Sequence, residues 1–132
     1  MNAVEVLRAG VVEARHRVHI AIANADGKMV ARTGKVDALT YYRSAAKPFQ
    51  ALPLVEEGVA SRLGISLSEL ALCCASHEGE LDHVSAARSI LSKAGLDEKL
   101  LRCGPHLPFS AEASKALLAQ GRCAMPIHNN CS

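Results

Sequence analysis

Aromatic side chains are nearly missing from this chain: its 132 residues include no tryptophan, two tyrosines (Tyr41, Tyr42) and two phenylalanines (Phe49, Phe109). An excess of one charge is missing too, since 15 Lys and Arg face 13 Asp and Glu for a formal net charge of +2. With no block of like charge and no aromatic-rich basic stripe, the chain carries no footprint for nucleic acid. No apolar run approaches the ~20 residues needed to span a bilayer, and Glu5 and Arg8 interrupt any apolar region of a secretory leader. A cytoplasmic protein that engages neither nucleic acid nor membrane is expected. Low-complexity tracts are absent, and a composition of 49% hydrophobic and 21% charged residues belongs to a globular domain able to sustain a core.

Five cysteines are present, Cys73, Cys74, Cys103, Cys123 and Cys131. Without an export signal, and with one thiol left over, they do not read as a disulfide framework. Cys73 and Cys74 lie in an apolar segment and behave as small buried hydrophobes. Cys131 is different, because it sits in a polar tail, His128-Asn129-Asn130-Cys131-Ser132, whose side chains hydrogen-bond or ligate metal.

Patterning predicts strands first and helices after. Val4 and Val6 alternate with polar neighbours, a second run covers Arg17 to Ala23, and a third covers Met29 to Thr33 after the turn Asn24-Ala25-Asp26-Gly27. A helix is predicted from about Ala45 to Glu57, with Ser44 as its cap and Gly58 as its stop. Ser66 and Glu69 form a capping-box pattern ahead of a helix from Leu67 to about Ala75. A third helix, Asp82 to Ala94, carries Val84, Ala87, Leu91 and Ala94 on one stripe, and a fourth runs from Ala111 to Gln120 behind Ser110. Strands followed by helices favour an α+β fold in one unit, antiparallel N-terminal strands covered by packed helices.

Three constellations carry chemistry. Ser44-Ala45-Ala46-Lys47 places a serine and a lysine three residues apart on one helical face, where a desolvated amine can take the hydroxyl proton. Amides at that helix start could also hold an oxyanion. The plainer alternative is a capping serine followed by a solvated lysine. Ser76-His77-Glu78-Gly79-Glu80 gathers a hydroxyl, an imidazole and two carboxylates, and Ser76 with His77 forms a nucleophile–base pair only where the backbone turns; otherwise it is a polar helix end. Cys103 with His106, and His128 with Cys131, have the spacing of two halves of a Cys2His2 zinc site.

In order, RSAAKPFQALPLVEEG (Arg43 to Gly58), LALCCASHEGE (Leu70 to Glu80), CGPHLP (Cys103 to Pro108) and HNNCS (His128 to Ser132) resemble the successive blocks of the asparaginase II family, the rhizobial-type L-asparaginases. The opening RAGVVEARHR (Arg8 to Arg17) and the NADGK turn are similar as well, so the resemblance covers nearly the whole chain. It implies a fold similar to part of the serine β-lactamase and glutaminase architecture. It also implies hydrolysis of the side-chain amide of L-asparagine to aspartate and ammonia through a Ser–Lys acyl-enzyme.

Two Ser–Lys pairs are implied around the substrate. Ser44 and Lys47 match the first pair, and Ser76 matches the serine of the second, whose lysine lies far downstream. Cys131 matches the first ligand of the family's zinc site, and the other ligands, a lysine shortly after it and a second cysteine, fall beyond Ser132. The resemblance thus moves the base for Ser76 from His77 to an absent lysine and leaves Cys103, His106 and His128 without a metal role. Arg43, Glu78 and the Asn129-Asn130 pair are candidates to anchor the substrate's α-amino and α-carboxyl groups.

Residues 1–132 are therefore expected to be a single N-terminal portion of an asparaginase-like domain, truncated after HNNCS, that forms a homodimer or pairs with a missing C-terminal portion. Two alternatives stand beside an asparaginase: a non-catalytic remnant that binds an amino acid, and a different β-lactamase-like serine amidase in which Ser44 and Lys47 suffice.

Overall fold

The computed structural model describes residues 3–132, which divide into two compact units, 3–41 and 42–132. The class is α+β: antiparallel strand pairs come first and helices follow.

The first unit holds two hairpins. β1 (Ala3–Arg8) pairs antiparallel with β2 (Val11–Arg17), and β3 (Ile20–Ala23) pairs antiparallel with β4 (Met29–Thr33). Ala9 and Gly10, at φ 49° and 78°, give the first hairpin a two-residue turn whose twist matches its strands. The second turns where the Asn24 side-chain oxygen accepts the amides of Asp26 and Lys28, 3.1 and 2.8 Å away. The strand expected from Arg17 to Ala23 is split: β2 ends at Arg17 and β3 starts at Ile20. β2 was hidden by its charged residues, two of which make cross-strand pairs, Arg15 with Glu5 and Glu13 with Arg8. These pairs are exposed and worth less than about 1 kcal/mol each.

The second unit contains α1 (Lys47–Glu56), α2 (Val59–Arg62), α3 (Leu67–Cys73), α4 (Leu81–Lys93) and α5 (Ala111–Ala119), with 3-10 turns at Arg43–Ala46, Glu98–Leu100 and Pro126–His128. Its helix starts follow local chemistry. Ser66 Oγ accepts the Glu69 amide while the Glu69 carboxylate accepts the Ser66 amide, closing the capping box, and Ser110 Oγ accepts the Ala113 amide at the head of α5. Gly58, Gly95 and Gly121, all at positive φ, stand where α1, α4 and α5 stop. Ser44 departs from expectation. The 3-10 turn precedes α1, the residue capping α1 is Ala46, and Ser44 is left free for another partner. Among the described residues no helix is long and apolar enough to cross a membrane.

The core of this unit is small. Ile127, fully buried, packs with Val84 and Ala87 of α4, and Leu72, Leu91 and Leu101 close around them. Within this unit the predicted α4 stripe thus meets Ile127, from the turn that leads into the tail. Behind α4, Lys93 Nζ donates to the Glu69 carboxylate at 2.6 Å and to the Gly64 carbonyl at 2.7 Å, tying α3 to α4. Lys93, then Ser89 and Ser66, hold the Glu69 carboxyl at about 2, below its ordinary 4.5.

Two outcomes test this packing. Ile127→Ala leaves a cavity at the centre and should cost about 3 kcal/mol in urea unfolding. Because the folded-state value for Glu69 lies below the unfolded one, its stabilising contribution is complete above pH 4.5 and is lost as pH falls toward about 2. The urea midpoint should therefore drop less through that acid window in Lys93→Met than in the parent chain.

Candidate active site

The Ser44 turn, the loop after α3 and the tail after the Pro126–His128 turn converge within the second unit. Ser76 Oγ donates to Ser44 Oγ at 3.0 Å across 32 residues of sequence, and both serines are exposed. Arg43, just before Ser44, adopts a left-handed φ of 52°, a conformation that disfavours a residue with a Cβ by about 1 kcal/mol or more. Lys47, three residues after Ser44, is half-buried. Its Nζ donates to the Ala75 carbonyl at 2.6 Å and to the Asn130 carbonyl at 3.2 Å, and among the described residues it bonds neither serine. Ser44, Lys47 and Ser76 are thus brought together, with the lysine joining the Ser76 loop to the tail.

His77 is only 4% exposed and takes no part in the serine pair's hydrogen bond. Its Nδ1 accepts the Gly79 amide at 3.1 Å, so the ring proton belongs on Nε2, which donates to Ser132 Oγ at 2.8 Å. The ring stacks on His83 of α4 with centroids 5.4 Å apart. Burial first, then the nearby His83 and Lys47, push its pKa down, which agrees with the neutral tautomer. With both nitrogens occupied, His77 is not the base for Ser76.

The tail is held by its own amides. Asn129 Nδ2 donates to the carbonyls of Cys103 and Gly104, at 3.0 and 3.1 Å, while its Oδ1 accepts the Cys131 amide. Asn129 is therefore committed to the loop and is not free to anchor a substrate. His128 is also buried, with Nδ1 accepting the Met125 amide at 2.9 Å; burial, then Arg122 and Arg88, lower its pKa against an opposing pull from Glu98. The Ala45 amide bonds the Tyr42 carbonyl, so an oxyanion donor expected at the Ser44 turn has to be another amide.

A hollow of about 340 Å³ between α3 and α4 is lined by Ser76, His77, Glu78 and His83 among others. A larger cleft of about 490 Å³ between α4 and α5 contains none of Ser44, Lys47 and Ser76. Of the two, the smaller hollow is the one that reaches the serine pair, through Ser76.

The family model for L-asparaginase II matches residues 4–132. The chain belongs to that family. No curated protein matches it. Membership in the L-asparaginase II family agrees with the ordered blocks, and the paired serines lie in two of them, Arg43 to Gly58 and Leu70 to Glu80.

The zinc reading from spacing alone is overturned. Cys103 Sγ donates to the Pro126 carbonyl at 3.5 Å, His106 Nδ1 lies against the Leu107 carbonyl, and His128 Nδ1 accepts the Met125 amide, so these three residues each have a separate partner. Among the described residues no group of three or more His, Cys, Asp or Glu side chains could hold a metal. Cys131 is exposed, with its thiol 3.6 Å from the Asn130 side-chain oxygen. It is one thiol where a structural zinc needs four ligands, so the described residues do not form a zinc site by themselves.

Sequence reading missed the partners that fix the site: the Ala75 and Asn130 carbonyls, Ser132, and the clamp made by Asn129. The last had a signal in the turn-forming preference of asparagine. Backbone carbonyls carry no residue-type signature at all.

Gly79 joins the Ser76 loop to α4 at φ +74°, where an added Cβ would lie 2.9 Å from the His128 carbonyl oxygen and 2.9 Å from Pro108 Cβ. Neither neighbour is the end of a flexible side chain. Gly79→Ala should therefore destabilise the second unit by about 2 kcal/mol or more, read as a lower urea midpoint.

Proposed function

We propose that this chain supplies the nucleophilic half of an L-asparaginase, cleaving the side-chain amide of L-asparagine to L-aspartate and ammonia through a Ser–Lys acyl-enzyme. The observation that carries the reading is the 3.0 Å hydrogen bond from Ser76 Oγ to Ser44 Oγ, beside a lysine spaced three residues from Ser44. Ser44 Oγ is the acceptor, so negative charge developing on it is stabilised by the Ser76 hydroxyl; this favours Ser44 as nucleophile and Ser76 as its support. With two N–H groups of Lys47 on carbonyls, its third position is the one left to exchange a proton.

The steps are then those of acyl transfer. Ser44 Oγ bonds to the amide carbon as its proton passes to Lys47, and the C–N bond breaks as that proton leaves with ammonia. Water hydrolyses the resulting ester and regenerates the serine. Arg43, Glu78 and Asn130 are the groups proposed to hold the substrate's α-amino and α-carboxyl groups. Residues 1–132 act here as the N-terminal portion of one cytoplasmic asparaginase-like domain, working as a homodimer or with a C-terminal portion that brings the second lysine. Zinc enters only through Cys131, as one thiolate among ligands supplied from outside these residues, and no step is routed through it.

Ammonia release from L-asparagine by the purified chain, alone and in the full-length protein, tests the proposal. Turnover is expected to fall by about 10³-fold or more in Ser44→Ala and by about 10- to 100-fold in Ser76→Ala. A Ser76→Ala loss larger than that of Ser44→Ala would exchange their roles. A full-length protein that binds L-asparagine without releasing ammonia would leave the chain as part of an amino-acid-binding module.

A further inference from the structure

The Ser76 loop and the tail are joined twice. Lys47 bridges the carbonyls of Ala75 and Asn130. Two residues further along both segments, His77 Nε2 donates to Ser132 Oγ at 2.8 Å, and Ser132 Oγ donates in turn to the Ile127 carbonyl at 3.2 Å. Ser76 lies between these two cross-links. The second one is anchored in the core, because Ile127 is fully buried and the His77 ring is stacked on His83 of α4. The first sits at the half-buried end of a flexible four-carbon side chain.

We infer that His77 is a positioning residue: its bond to Ser132 holds the Asn130 carbonyl opposite Ala75, and so sets where Lys47 and Ser76 lie relative to Ser44. The role requires a donor at Nε2 while Nδ1 accepts the Gly79 amide, and nothing in it requires His77 to exchange a proton. A glutamine amide reaches the position of Nε2 and can donate to Ser132; an asparagine amide reaches only the position of Nδ1 and preserves the Gly79 contact alone. The two variants therefore separate the cross-link from the local turn. The inference takes its catalytic meaning from the Ser–Lys reading, but the positioning itself can be measured without turnover.

Competitive labelling of lysine amines with acetic anhydride, followed residue by residue by peptide mass spectrometry, reads the Lys47 environment directly. In the folded chain Lys47 should label more slowly than exposed Lys28 and Lys115. His77→Asn and Ser132→Ala should each raise the Lys47 rate about fivefold, the weight of one buried hydrogen bond, while leaving Lys93 unchanged. Their combination should add no further increase, and His77→Gln should restore the slow rate. Unaltered labelling of Lys93, which bridges α3 to α4, reports that each variant is folded. If Lys47 labels at the parent rate in both His77→Asn and Ser132→Ala with Lys93 still protected, the inference is overturned. Should a variant unfold, imidazole NMR of the parent chain decides: a proton on Nδ1 of His77 overturns the inference, and a proton on Nε2 coupled to Ser132 supports it. A protein that shows this labelling pattern but does not hydrolyse L-asparagine would retain the positioning role and lose the asparaginase reading.

Discussion

Lys47 Nζ lies between two backbone carbonyls, Ala75 at 2.6 Å and Asn130 at 3.2 Å, and the geometry around the serine pair depends on that bridge. A carbonyl drawn partly out of water needs a donor, and here one amine serves two carbonyls from segments that share no secondary structure. The loop after α3 and the tail can approach because the lysine satisfies both. Ser76 follows Ala75 directly, so fixing one carbonyl also fixes the neighbouring hydroxyl close to Ser44.

The two buried histidines serve the same end by similar means. His77 and His128 each accept a backbone amide at Nδ1, from Gly79 and from Met125, and each has its pKa lowered chiefly by burial. Both rings close local turns, and among the described residues neither bonds Ser44 or Ser76. Gly79, pressed against the His128 carbonyl and Pro108, lets the two turns meet without a side chain between them.

Much of this was legible in the residues. The capping box at Ser66, the α4 stripe at Val84 and Ala87, and the glycines that stop α1, α4 and α5 each act through neighbours a few positions away, which sequence spacing records. The three-residue spacing of Ser44 and Lys47 was legible for the same reason, but not the lysine's partners, which are the Ala75 and Asn130 carbonyls. What spacing could not record was any contact across the chain: that Ser44 would leave its helix cap for Ser76, that the cap position would fall to Ala46, and that Cys103, His106, His128 and Cys131 would not gather into one four-ligand cluster. β2 escaped because charge pairing, and not apolar alternation, marks its register with β1.

The bridge from Lys47 to Asn130 spans 83 residues, and that from His77 to Ser132 spans 55. Closing loops of that length costs entropy that no local helix returns, so contacts of this kind are held by the packing of the whole unit and not by neighbours in sequence. The juxtaposition of Ser44, Lys47 and Ser76 is then a property of the folded unit and not of any one segment of it. A segment cut from this unit keeps the local signals of its helices but not the serine pair, because the two hydroxyls belong to stretches 32 residues apart that only these bridges and the surrounding packing hold within bonding distance.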